Sequence, residues 1–312
     1  MKGLELSRSF YLACGKEMIE TQFSEYADRI AVGLVGEGSE CLGFDDEIST
    51  DHDFEPGFCL FITREDERKF GFPLERAYAK LPKEFNGFKR QPLSPVGGNR
   101  HGVIVIDDFY TKFLGAPSAP ETAAEWLMIP SSALLCASDG EIFRDDLGAF
   151  SEVRNILKKG YPEDIRRKKL AANLIFMAQS GQYNFERCVK RGESGAAQLA
   201  VFDFVRHAIS AAYLLGGAYE PFYKWAYRGM RDLPVLSELE TPLTRLTVTG
   251  NTEAEATEKA ALIEEVSQKV ISELRSQNLS GCCEIALEGH AYSVQNGIRD
   301  VSLRNMHIME GA

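Results

Sequence analysis

Residues 32–62 read VGLVGEGSECLGFDDEISTDHDFEPGFCLFI, and the fold turns on how that stretch is parsed. The apolar runs 30–35 and 58–62 have the length and composition of buried strands. Between them lie a turn, Gly36-Glu37-Gly38-Ser39, and a dense set of acids. Glycines at 36 and 38 let the backbone turn sharply and come close to a ligand. Ser39 can cap a short following helix or offer its hydroxyl to a phosphate. Alone, a Gly-x-Gly-Ser sequence is more often an ordinary turn. Here Asp51-His52-Asp53, twelve residues beyond Ser39, gives it meaning.

On an extended backbone, residues two apart face the same way, so Asp51 and Asp53 project side by side and His52 points elsewhere. Adjacent like charges are costly unless a cation neutralises them. Carboxylate oxygens, with phosphates and waters completing the shell, suit Mg²⁺ or Mn²⁺. The stretch therefore parses as strand, phosphate-cradling turn, short helix, then a strand entered by two metal-binding carboxylates. Pro56 limits pairing just beyond the acids, and Glu55 is a spare ligand if the register is displaced. Asp45, Asp46 and Glu47 read as a solvated acidic loop.

This order resembles the signature of the DNA polymerase β-like nucleotidyltransferases: an apolar residue, Gly, Gly or Ser, a spacer, then Asp-x-Asp or Asp-x-Glu. Gly38-Ser39, an eleven-residue spacer and Asp51-His52-Asp53 fill that pattern. The resemblance implies in-line attack of an acceptor hydroxyl on the α-phosphate of a nucleoside triphosphate, with pyrophosphate released. It implies that Asp51 and Asp53 hold Mg²⁺ or Mn²⁺, and that Gly38 and Ser39 cradle the β- and γ-phosphates. A third carboxylate is required on a neighbouring strand. Asp107, at the end of the β-prone run 103–106, is the best placed, unless Asp107 or Asp108 merely caps the helix that follows.

The rest of the chain sets the context. Its 312 residues, 44% hydrophobic and 26% charged, suit an ordinary globular core. A net charge of −11 argues against an extended nucleic-acid surface. Seven scattered cysteines without Cys-x-x-Cys spacing fit reduced thiols. The absence of a signal-like or spanning apolar run places the chain in the cytoplasm. Residues 4–27 carry an amphipathic helical pattern, 64–95 read as loops around a helix at 74–81, and 141–144 as a short strand.

From 151 onward β-rich runs give way to helical periodicity. The expected fold is α+β: a nucleotidyltransferase domain over 1–150 with a small mixed sheet flanked by helices, then an all-helical domain over 151–312. Arg166 to Lys169 are four successive cations that cannot share one helix face and so read as mostly solvated. The apolar helix around Arg206 and His207 needs a partner for its charge. Residues 251–278 form a long amphipathic helix.

That layout resembles a bacterial branch joining such a domain to a helical one, similar to antibiotic (aminoglycoside-type) nucleotidyltransferases. By that resemblance, Lys224 between Tyr223 and Trp225, with Arg187, holds the triphosphate from the helical domain. A cleft between domains would receive ATP, or another nucleoside triphosphate, and a small-molecule acceptor. Two other readings stay open. One is a nucleotide-binding regulator without turnover, and the other is transfer to a protein or RNA.

Overall fold

Both apolar runs of the opening stretch become strands. β1 (Ala31–Leu34) and β2 (Cys59–Ile62) pair antiparallel with Val32 opposite Leu60. The computed structural model describes residues 1–50, 54–90 and 100–312. A two-stranded hairpin, β3 (Glu84–Phe85) and β4 (Phe88–Lys89), turns on Asn86 and Gly87, both at positive φ. β5 (Gly102–Val105) lies parallel to β2, and β6 (Glu141–Arg144) antiparallel to β1. Among the described residues the main sheet thus has four strands in the order β5-β2-β1-β6, with β1 and β2 central and buried at every residue.

Strand alternation sends Leu60 and Ile62 to one face and Phe61 to the other. On the first face they pack, with Val32, against α1 (Gly3–Phe10), α2 (Lys16–Gln22) and the segment 64–81. That segment is helical from its start: α3 (Arg64–Asp66), a π-helical turn, and α4 (Phe72–Ala79). The sequence reading made 64–73 a loop because its acids and bases look solvated. Asp66 is in fact fully buried, accepting from Arg29 Nε and Thr63 Oγ1 at 2.7 Å each. Thr63 in turn accepts from the Asp66 amide and caps α3.

The second face is covered by α5 (Ile106–Leu114). Phe61 stacks on Phe150 with ring centroids 4.1 Å apart, and Phe109 meets Phe61 edge-on at 5.3 Å. Tyr110 Oη donates to the Phe150 carbonyl at 2.7 Å. Two regions of the chain separate by contact. One is Met1–Glu121 with Ile129–Lys159; the other is Thr122–Met128 with Gly160–Ala312. The first therefore runs past 150, since Phe150 sits in its core and leads into a further helix.

That first unit also holds two helices beyond α6 (Ala123–Met128), which belongs to the second: α7 (Ser131–Ser138) and α8 (Ser151–Leu157). The second unit is all-helical. It comprises α9 (Glu163–Met177), α10 (Glu186–Lys190), α11 (Ser194–Leu215) and α12 (Tyr223–Met230). α13 (Glu240–Val248), α14 (Glu253–Ser276), α15 (Leu287–Asn296) and α16 (Val301–Arg304) complete it. The protein is α+β, a small mixed sheet with helices followed by a helical C-terminal region.

The four cations 166–169 are not uniformly solvated. Lys168 and Lys169 are buried, and their ammonium groups donate to the carbonyls of His307 at 2.7 Å and Leu127 at 3.3 Å. A helix carrying four successive cations turns two of them inward here because main-chain carbonyls accept from their ammonium groups there. Among the described residues, no helix is long and apolar enough to cross a membrane. All seven cysteines are free thiols.

Candidate functional site

The turn after β1 departs from regular backbone at both of its glycines. Gly36 and Gly38 adopt φ of 112° and 127°, conformations open to glycine and strained for any residue with a Cβ. No α-helix follows. Residues 39–43 form turns closed by hydrogen bonds from Phe44 N to Ser39 O (2.8 Å) and Gly43 N to Glu40 O (3.2 Å). The expected short helix is reduced to a single 3-10 turn, Ile48–Thr50, later in the stretch. Ser39 Oγ donates to Ser49 Oγ at 3.4 Å and caps no helix.

Two of the acids read as solvated do structural work. Asp45 is buried; its carboxylate accepts from the Gly3 amide at 2.7 Å and pairs with Lys2 at 3.4 Å, tying the start of α1 to the loop. Asp46 is exposed, and its Oδ1 accepts from the Ile48 and Ser49 amides at 3.0 and 3.1 Å. Those bonds, Ser49's first, lower its pKa from the usual carboxylate value.

Asp51, His52 and Asp53 lie outside the described residues. β2 begins at Cys59, so the chain between the expected carboxylates and the strand is irregular, as Pro56 requires. The Glu55 carboxylate accepts from His101 Nδ1 at 3.0 Å, and the His101 ring packs against Gly57. Among the described residues, no cluster of three or more His, Cys, Asp or Glu side chains could hold a metal ion. The donor types that the sequence supplies at 51 and 53 are hard carboxylate oxygens, which fit Mg²⁺ or Mn²⁺.

Beside the turn is a cavity of about 210 Å³ with an apolar floor of Val35, Ile104, Phe109 and Phe113. Its rim is charged: Glu37, Arg100, Asp108 and Lys112. Lys112 Nζ pairs with Glu37 at 2.9 Å, Arg100 with Glu40, and Arg64 with Asp108. The sequence reading chose Asp107, which is exposed and does not line this cavity. Asp108 and Lys112 are four residues apart and share a helix face, whereas Asp107 is turned about 100° away. Neither aspartate is the N-cap of α5. Val105 holds that position without a side-chain bond, and both acids sit in the first turn where the helix dipole favours them.

Two thiols flank the turn. Burial pushes the Cys59 thiol up to about 12 and raises that of Cys41, which favours the protonated form of both.

In the second unit Arg187 is exposed on α10, with its guanidinium 4.7 Å from the Tyr183 ring centroid. Lys224 is exposed on α12, with Nζ 5.2 Å from the Trp225 ring. The structure does not bring these cations together. Glu193 N bonds to Cys188 O (3.0 Å) and holds α10 at the start of α11. Tyr213 Oη bonds to Ala226 O (2.7 Å) and holds α12 at its end. Those anchor points are about 28 Å apart along a helix. A second-unit cavity of about 500 Å³ between α10, α11 and α14 is lined by Glu186, Lys190, Ser194 and Asn251, but by neither Arg187 nor Lys224.

Comparison with known proteins adds little to this geometry. Residues 126–226 match the family model described as a domain of unknown function (DUF4037), a span that touches both units. No curated protein matches the chain. Among solved structures, the chain resembles the crystal structure of a nucleotidyltransferase-like protein from Exiguobacterium sibiricum 255-15. The identity is 13%, over 90% of this chain and 80% of that one, with a TM-score of 0.38. The functional reading therefore rests on the chain's own residues.

Proposed function

We propose that the chain is a metal-dependent nucleotidyltransferase. It would move a nucleoside monophosphate, AMP from ATP in the first instance, onto a hydroxyl of a small acceptor and release pyrophosphate. The observation that carries this is the turn. A buried central strand ends in two glycines held at positive φ, followed by Ser39 and, beyond an eleven-residue spacer, by Asp51 and Asp53.

Backbone amides exposed by such a turn form an anion-binding concavity. Gly38 and Ser39 would hold the β- and γ-phosphates there. Asp51 and Asp53 would hold Mg²⁺ or Mn²⁺, which neutralises phosphate charge and orients the reacting groups. The third carboxylate would come from the first turn of α5. We assign it to Asp108, which lines the cavity next to the turn, ahead of Asp107. The apolar floor beneath the charged rim suits a flat ring system such as a base. Of Lys224 and Arg187, at opposite ends of α11, at most one can contact a given triphosphate.

A second reading, a nucleotide-binding protein without turnover, is favoured by one observation: Asp108, the carboxylate assigned to the third position, is already paired with Arg64. Transfer assays separate the two. The protein is incubated with labelled nucleoside triphosphates, Mg²⁺ or Mn²⁺, and small-molecule, protein and RNA acceptors. The expected result is metal-dependent labelling with pyrophosphate release, reduced at least about a hundredfold in Asp51→Asn and Asp53→Asn. Metal-dependent binding without pyrophosphate release would establish the second reading. Labelling unchanged by both substitutions would show that the site is elsewhere.

A further inference from the structure

Directly against the Gly38 turn lies an ion pair that the transfer chemistry does not use. We infer that Arg100 is a phosphate-binding residue of this turn, and that Glu40 is an internal carboxylate occupying it until a polyphosphate takes its place. The inference rests on the same reading of the turn as an anion site, and it adds a ligand and a gate to it.

The geometry is specific. Arg100 Nη2 donates both to the Glu40 carboxylate and to the main-chain carbonyl of Glu37. A Cβ at Gly38 would come within 2.5 Å of both Glu40 carboxylate oxygens, and would also strike the Arg100 guanidinium. An anion and its cation therefore sit directly on the glycine. Both groups are largely withdrawn from water, with side-chain exposures of 24% for Arg100 and 11% for Glu40.

Arg100 is also fixed in place. Its carbonyl accepts from Cys59 Sγ at 3.2 Å, and the Gly102 amide donates to Phe58 O at 3.0 Å, so its backbone is docked beside β2. A planar guanidinium fork held on a rigid backbone suits two oxygens of one anion, carboxylate or phosphate alike. Lys112 repeats the arrangement on the outer rim, paired with Glu37 at 2.9 Å. With both glutamates in place the charges of these two pairs, Arg100 with Glu40 and Lys112 with Glu37, cancel. Swinging Glu40 out leaves a net positive charge facing the glycine amides, and a polyphosphate brings more negative charge to it than one carboxylate can. Displaced, Glu40 regains its hydration.

The test is calorimetric titration of the full chain with tripolyphosphate in the absence of metal, repeated with ATP to tell free polyphosphate from nucleotide. Urea unfolding of each variant is run in parallel to establish that it is folded. Glu40→Gln is expected to bind about tenfold tighter than the parent, the scale of one charge-assisted contact. Arg100→Ala is expected to weaken binding by a similar factor. In the double variant the tightening should vanish, because the two groups act through each other. Where Arg100→Ala fails to fold, Arg100→Lys serves instead: it keeps the charge, loses the fork, and should still bind more weakly.

Folded Glu40→Gln with unchanged or weaker affinity overturns the inference, as does tightening that survives removal of Arg100. Tightening by tripolyphosphate but not ATP would assign the site to free polyphosphate and still support it. The transfer assay is read separately. Coupling between Glu40 and Arg100 without transfer would sink the enzyme reading alone, and transfer without coupling would sink this inference alone.

Discussion

Gly38 carries its φ of 127° beneath a buried ion pair, so a methyl group there meets two obstacles at once. The backbone region is costly for any L-residue, and the Glu40 carboxylate would have to move. Gly38→Ala should therefore lose about 1–3 kcal/mol of stability, read as a lower urea midpoint with an unchanged slope. It should also lose tripolyphosphate binding even under conditions where it is folded. An unchanged midpoint would mean that the turn relaxes freely and has no fixed shape to offer a ligand.

The glycine turn was legible in the sequence because the rule behind it is local: only glycine tolerates that backbone. Asp107 and Asp108 could not be told apart in the sequence, because which of two neighbouring residues faces the cavity depends on how α5 is turned, and on a helix one residue is a different face. Arg100 and Glu40 could not be read at all. They are sixty positions apart, and the pairing of β1 and β5 on either side of β2 brings them together.

At the scale of elements, α14 shows what makes a helix readable. Its apolar stripe predicts a helix over 251–278, and the helix runs Glu253–Ser276. The start is fixed by a reciprocal cap in which Thr252 Oγ1 accepts from the Glu255 amide and the Glu255 carboxylate accepts from the Thr252 amide at 2.9 Å. The Thr252 hydroxyl bond, first, and its amide hold the Glu255 pKa below the usual value. Thr252→Ala should cost about 1 kcal/mol in urea unfolding, and Thr252→Ser very little. Equal losses in the two would show that the hydroxyl is not the cap.

The helix expected at 74–81 overlaps α4, but the helical start over 64–73 was unreadable for the opposite reason. Its stabilising contact, Asp66 with Arg29, lies 37 positions upstream, so locally the segment is only a run of charges. The Asn86-Gly87 turn, by contrast, was a local signal available in the sequence and not used.

Across the whole molecule the two units have separate cores, one built on the sheet and one on α9, α11 and α14. The composition shift near 151 marks where strands end. It does not mark where the sheet's core ends, because Phe150 and α8 still serve that core. Both tryptophans, Trp126 and Trp225, fall in the second unit, so tryptophan emission reports on that unit.

Within it, His207 predicts an acid response. The ring is buried, stacked on Phe176 at 4.5 Å, with Nδ1 2.8 Å from Asn173 Oδ1 and Nε2 3.2 Å from Arg206. Burial, against the opposing pull of Asp203 and with the help of Arg206, pushes its pKa from 6.5 down to about 4. Folded His207 is therefore neutral, with Nδ1–H donating to Asn173 and Nε2 accepting from Arg206. Between those two values the unfolded chain binds a proton that the folded one refuses. The stability contributed by His207 is thus complete above 6.5 and is lost as pH falls toward 4.

The urea midpoint of the tryptophan transition should drop across that window, by an amount equivalent to roughly 2–3 kcal/mol from this residue. His207→Gln should start from a lower midpoint and fall less steeply, since it has no proton to take up. Parallel pH profiles in the two proteins would mean that His207 titrates normally and that the buried hydrogen-bonded arrangement is not populated in solution.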